Sequence, residues 1–149
     1  AISNPAAVWT GSQLFVWGRH DLGPAVGWLY DPSTDRWTRT TETGAPEEFP
    51  VAFAAWTGTE VLLWRISDGR TMLRKYNPAL DTWSTANLTG APSPRINASA
   101  VWTGDELIVW GGGGPTFYRT DGARYNPASD SWQAMTSVDD VAPTVKELS

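Results

Sequence analysis

Short apolar runs, each closed by a tryptophan, recur along this 149-residue chain at a nearly fixed distance. Leu14-Phe15-Val16-Trp17, Val61-Leu62-Leu63-Trp64 and Leu107-Ile108-Val109-Trp110 stand 47 and 46 residues apart. Consecutive apolar positions over so short a stretch predict a strand buried on both faces. A second marker precedes each run: Ala7-Val8-Trp9-Thr10-Gly11, Ala55-Trp56-Thr57-Gly58 and Ala100-Val101-Trp102-Thr103-Gly104. It predicts a strand ending at the tryptophan, then a tight turn whose glycine is free to take positive φ. A third marker follows each run. Tyr30-Asp31-Pro32-Ser33-Thr34-Asp35-Arg36-Trp37 returns as Tyr76-Asn77-Pro78-Ala79-Leu80-Asp81-Thr82-Trp83 and as Tyr125-Asn126-Pro127-Ala128-Ser129-Asp130-Ser131-Trp132. Its Asx-Pro step is a turn, because proline presets φ and the Asx side chain caps its own backbone. The Asp35, Asp81 and Asp130 series is read as turn capping too, since it lacks the alternating oxygen ligands of a calcium loop. No segment carries a 3.6-residue apolar period, so almost no helix is expected.

Three markers in one order, three times, define a repeat of four strands. The first strands fall near 6–9, 52–56 and 98–102. The second are the apolar runs, the third end at the tyrosines, and the fourth begin at the last tryptophans. A variable connection of roughly a dozen residues separates the second and third strands of a repeat. The repeats occupy approximately 5–46, 50–92 and 96–136, with a tail over 137–149. Thr43-Gly44-Ala45-Pro46 and Thr89-Gly90-Ala91-Pro92 match each other between repeats.

A Gly turn, an apolar strand ending near glycines, then Tyr-Asx-Pro and a tryptophan about seven residues on resemble the Kelch motif. The third repeat fits best, with Gly111, Gly112, Gly113 and Gly114 after Trp110; the first keeps Gly18, and the second has Arg65-Ile66 there. The likeness implies an all-β fold of three four-stranded antiparallel blades, numbered from the innermost strand outward. It also implies that the variable and interblade connections share the face where ligands bind. Propellers close with about 4–8 blades, so three would expose two apolar faces. Closure by homodimerisation into six blades is expected, and the register suggests three whole blades with no split one. Membership of a longer propeller is the other solution.

Composition changes this picture little. Ten tryptophans fit blade-to-blade packing without any ligand. The net charge of −5 argues against general nucleic-acid binding, which needs clustered cations. No apolar run approaches the roughly 20 residues that span a bilayer, no signal peptide is visible at Ala1-Ile2-Ser3-Asn4-Pro5, and there is no cysteine. A soluble chain without disulfides is expected, its compartment undetermined. One histidine and no cysteine leave no ordinary zinc set, and no metal, cofactor or catalytic residue is expected.

Candidate chemistry sits in the variable connections: Arg19 with His20, Arg65 with Arg70, and Tyr118 with Arg119. Arg95 joins them from an interblade connection. A ring of guanidiniums there would suit a carboxylate, a sugar acid or an acidic peptide. Asp-Gly hairpins flanked by solubilising charge are the plainer reading. Gly111 to Gly114 is no phosphate cradle, because no Lys-Ser/Thr and no helix follow. The leading expectation is a non-enzymatic scaffold or interaction module whose partners are itself and a protein or acidic small molecule. The alternative is a fragment of a Kelch-type carbohydrate-active enzyme, similar to sialic acid isomerase. It requires the arginines to converge with Glu47 or Glu48.

Overall fold

A computed structural model describes residues 2–20, 23–47, 51, 53–67, 69–114 and 117–137. Asp21, Leu22, Glu48, Asp68 and the tail beyond Ser137 lie outside them, as do the side chains of Ile2, Ser3, Asn4, His20, Ile66, Ser67 and Phe117.

The described residues form strands, turns and no helix. The first sheet has strand order β1 (Ile2–Trp9), β2 (Leu14–His20), β3 (Ala25–Asp31), β4 (Arg36–Arg39). The second has β5 (Phe53–Trp56), β6 (Val61–Ser67), β7 (Arg70–Asn77), β8 (Thr82–Thr85). The third uses β9 (Ser99–Trp102), β10 (Leu107–Trp110), β13 (Gly122–Asn126) and β14 (Ser131–Met135). A small ribbon, β11 (Gly113–Gly114) with β12 (Phe117–Tyr118), is inserted between β10 and β13. Every pairing is antiparallel. Among the described residues no helix is long and apolar enough to cross a membrane.

The turns form for the reasons their residues suggest. The hydroxyls of Thr10, Thr57 and Thr103 accept from the amides of Gln13, Glu60 and Glu106, and their glycine neighbours hold φ of 93°, 100° and 108°. Asp31 accepts from the Ser33 amide, Asn77 from Ala79 and Asn126 from Ala128, the Asx caps expected.

The connections between second and third strands are more varied than a dozen residues each. In the second sheet β6 and β7 run on as one long hairpin, pairing Ser67 with Arg70 across a two-residue turn at Gly69 (φ 71°). Only the third sheet keeps a long excursion, the one containing the ribbon.

The sheets pack face to face in chain order. Phe15 and Trp17 of the first meet Val61, Leu63 and Tyr76 of the second. Leu62, Trp64 and Leu73, on the other side of the second sheet, meet Leu107, Val109, Tyr125 and Trp132 of the third. Alternate residues of β6 thus enter two different cores, and Val61 to Leu63 are fully buried. Both-face burial of the apolar runs holds for β2 and β6. In β10 only Leu107 and Val109 are buried, while Ile108 and Trp110, turned to the unpacked side, stay partly open.

Candidate functional site

Each internal joint is built by the same groups. Trp17 meets Trp83 edge to face with centroids 5.0 Å apart, and Trp64 packs tilted against Trp132 at 5.2 Å. Each receiving indole then donates from Nε1 to a carbonyl of the preceding blade: Trp83 to Thr41 at 2.9 Å, Trp132 to Asn87 at 3.1 Å. The aspartate two residues before the tryptophan accepts from the amide of that same residue, Thr41 N to Asp81 at 2.9 Å and Asn87 N to Asp130 at 3.1 Å. A tyrosine hydroxyl donates to the same carboxylate, Tyr76 at 2.8 Å and Tyr125 at 2.5 Å. The segment Tyr-x4-Asp-x-Trp is therefore a clamp that grips the exit of the preceding blade by its backbone.

This corrects the reading of Asp35, Asp81 and Asp130 as turn caps. The turn capping belongs to Asp31, Asn77 and Asn126. The second aspartates sit at φ of 53°, 49° and 48°, a left-handed backbone that aims the carboxylate back at the tyrosine. Burial raises the phenols of Tyr76 and Tyr125 above the usual tyrosine range, and their bonds to Asp81 and Asp130 add to it. The Tyr125 hydroxyl in turn holds the Asp130 carboxyl below its ordinary value, with help from the Asn87 amide and Lys75. Lys75 Nζ lies 3.7 Å from Asp130.

The first blade carries the same clamp on its outer side. Tyr30 donates to Asp35 at 2.9 Å and stacks on Trp37 at 5.0 Å. Trp37 is nevertheless 53% exposed, where Trp132 is 9%. Trp9, the counterpart of the packed Trp56 and Trp102, is 50% exposed. Toward the loop end of the same blade Gly23, Pro24, Val26, Trp28 and Arg39 line a shallow cavity of about 290 Å³. At the far end of the array Val101, 53% exposed, shares the open side of the third sheet with its register partner Ile108 and with Arg124, which pairs with Ile108 from the other side.

The residues proposed from sequence for ligand binding do lie at one end of the sheets, since the second strands end there and the third begin. Their states differ. Arg19 is exposed and donates to the Gly23 carbonyl at 2.8 Å. Arg70 is exposed, Arg65 and Arg119 are half-buried, and Tyr118 on β12 is 94% exposed. Glu47 is exposed. Arg95 is unlike the others, being 3% exposed. Its two terminal nitrogens each reach an Asp121 carboxylate oxygen at 3.1 Å, and further donors go to the carbonyls of Gly111 and Ser93. That guanidinium, which also lowers the Asp121 carboxyl, braces the glycine loop from inside. The loop needs its glycines: a Cβ on Gly112, at φ 80°, would stand 2.7 Å from the Ile96 carbonyl oxygen.

Grooves also open between blades at the opposite, turn end. One of about 420 Å³ is lined by Thr10, Gln13, Trp56, Thr59 and Pro78. Its smaller counterpart one blade on is lined by Thr57, Glu60, Trp102, Asp105 and Pro127.

No protein-family model and no curated protein sequence matches this chain. Among solved structures it is similar to TolB from Acinetobacter baumannii, a β-propeller protein, with a TM-score of 0.58 at 14% identity over 91% of this chain. The match takes in 33% of TolB, so the chain spans about a third of that protein's length. At that identity the likeness is one of fold. The molecule is an all-β, propeller-like array of three blades.

Proposed function

We propose that this chain is a Kelch-like repeat scaffold without catalytic activity, which closes into a six-bladed propeller by pairing with a second copy of itself. The observation that carries the reading is the mismatch at the ends of the array. The first blade offers an exposed clamp with two half-exposed tryptophans, and the third offers the apolar side that internal clamps receive. Exposed apolar faces of this kind mark interfaces. Of the multiples of three, only six falls within the usual range of about 4–8 blades. A heterologous head-to-tail contact that closes after two copies gives that number.

The Kelch-like assignment is supported by the Tyr-Asx-Pro turns, the Thr-Gly hairpins and the glycine run after Trp110, each with the backbone role its residues suggest. On the loop end, Arg19, Arg65, Arg70 and Arg119 with Tyr118 would receive an acidic peptide or a small carboxylate. Arg95 supports the scaffold rather than a sugar-acid enzyme, because its donors are committed to Asp121, Gly111 and Ser93.

Sedimentation equilibrium at micromolar concentration tests the assembly. Twice the chain mass is expected; a stable monomer overturns it.

A further inference from the structure

The two internal joints specify what an empty one would hold. In each, the residue four positions after the clamp tryptophan of one blade is gripped by the next blade. Thr41 stands four after Trp37, and Asn87 four after Trp83. The same position after Trp132 is Thr136, which is described and exposed just past β14. The stacking partners follow the same progression. Trp17 and Trp64 lie on the clamps of the next blade, and the equivalent residue in the third blade is Trp110. Lys75, which faces Asp130, corresponds to Arg124. Its counterpart clamp on the open side of the first blade carries Asp35.

We propose that Asp35 and Trp37 of one copy are the interface residues that clamp the backbone at Thr136 of a second copy, with Trp110 and Arg124 of that second copy packed against them. This rests on the self-assembly reading above and adds its register. Asp35 would accept from the Thr136 amide and Trp37 would donate to the Thr136 carbonyl, as Asp130 and Trp132 do for Asn87. The side chain facing the clamp aspartate is a cation here, as Lys75 is at the second internal joint. Arg124 lies 3.7 Å from Glu106 and donates to Gln133, so on pairing it would be shared between Glu106 and Asp35. The contact still buries an indole and sets a cation against the clamp aspartate, and like-charge misalignments are disfavoured. A second copy fits as the occupant because its third blade presents, in one frame, the groups that the internal joints place against a clamp, whereas an adjoining repeat of the same chain would leave the protein a monomer in the test below.

The test is a dissociation constant measured by sedimentation or by tryptophan fluorescence, for wild type and two variants. Trp37→Ala, at an exposed position, is expected to weaken pairing at least about 30-fold. Asp35→Asn tolerates the left-handed backbone and keeps an acceptor for Tyr30. It is expected to weaken pairing about tenfold and to abolish most of its salt dependence. Mixing decides the register. Trp37→Ala has a dead clamp and an intact third blade; Ile108→Asp has the reverse. Each alone should be monomeric, and the mixture should form a heterodimer through its one intact joint. If wild type pairs and both Trp37→Ala and Asp35→Asn pair equally well, the clamp register is overturned while self-assembly stands. If wild type is a monomer, both fall. Should Trp37→Ala lose its strand circular dichroism, Asp35→Asn and its salt dependence read the same contact.

Discussion

The indole Nε1 of Trp132 donates to the carbonyl oxygen of Asn87, 3.1 Å away and 45 residues earlier in the chain. One side chain thus crosses from the third blade to the second, stacks on Trp64 and fixes where the preceding blade ends. Trp132→Phe keeps most of the packing and loses the donor. It is expected to destabilise by about 1–2 kcal/mol, and Trp132→Ala by about 3–5 kcal/mol. Urea unfolding of the two variants separates the terms: a Trp132→Phe variant as stable as wild type would show that the hydrogen bond contributes nothing, and equal losses would show that the ring packing adds nothing to it.

Stability should fall in acid through the clamp. Asp130 has a carboxyl held below its ordinary value of 3.8, first by the Tyr125 hydroxyl. Asp121 is held down mainly by Arg95. A lowered native pKa means that the unfolded chain binds protons first as pH falls. The stabilisation is therefore complete above the unfolded carboxylate value and is lost as pH drops through the native one. Asp130→Asn is expected to flatten this acid limb in a melting-temperature series from pH 6 to pH 2. An unchanged limb would place the titration elsewhere.

Arg95 is a buried brace, and its replacement should behave as one. Arg95→Met leaves the Gly111 carbonyl without its donor and Asp121 without its partner, at an expected cost of about 1–3 kcal/mol. Arg95→Lys is expected to recover less than half of that, because an ammonium cannot meet both carboxylate oxygens and the carbonyls with one planar fork. Thermal unfolding of the pair of variants checks the ranking.

Two glycines should separate crowding from backbone preference. A Cβ on Gly122 would stand 2.4 Å from the Val109 carbonyl oxygen, whereas one on Gly104 meets nothing within 4 Å. Gly122→Ala must displace a strand and is expected to cost about 2–3 kcal/mol. Gly104→Ala pays only for its φ of 108°, about 1–2 kcal/mol. Comparable losses in denaturant unfolding would overturn the distinction.

The strands and turns were legible in the sequence because their signals are local. Val61-Leu62-Leu63-Trp64 announces a strand buried on both faces, and Asn77-Pro78 announces its turn. The clamp aspartates were misassigned for the complementary reason. Asp81 sits in a turn, but the amide it binds belongs to Thr41, 40 residues away. The recurring Tyr-x4-Asp-x-Trp spacing was the available signal, since a turn cap needs no tyrosine at fixed distance. Arg95 was placed on a binding face because composition alone does not reveal that a glycine loop folds over it. The long β6–β7 hairpin is not announced by an apolar run, because Arg65, Ser67 and Arg70 are polar and their backbone pairs regardless of their side chains.

Every joint in this array consists of two unlike halves, the exit of one repeat and the Tyr-x4-Asp-x-Trp segment of the next. A duplication that copies one whole repeat therefore copies one half-joint at each end, and the two are complementary from the outset. Such an array can lengthen without a new contact having to arise by mutation. What must then diverge is the address of each joint, and the equivalent positions Leu29, Lys75 and Arg124 have already done so, from aliphatic to cationic. That position separates the first repeat, aliphatic there, from the two cationic ones, while the backbone grip stays the same.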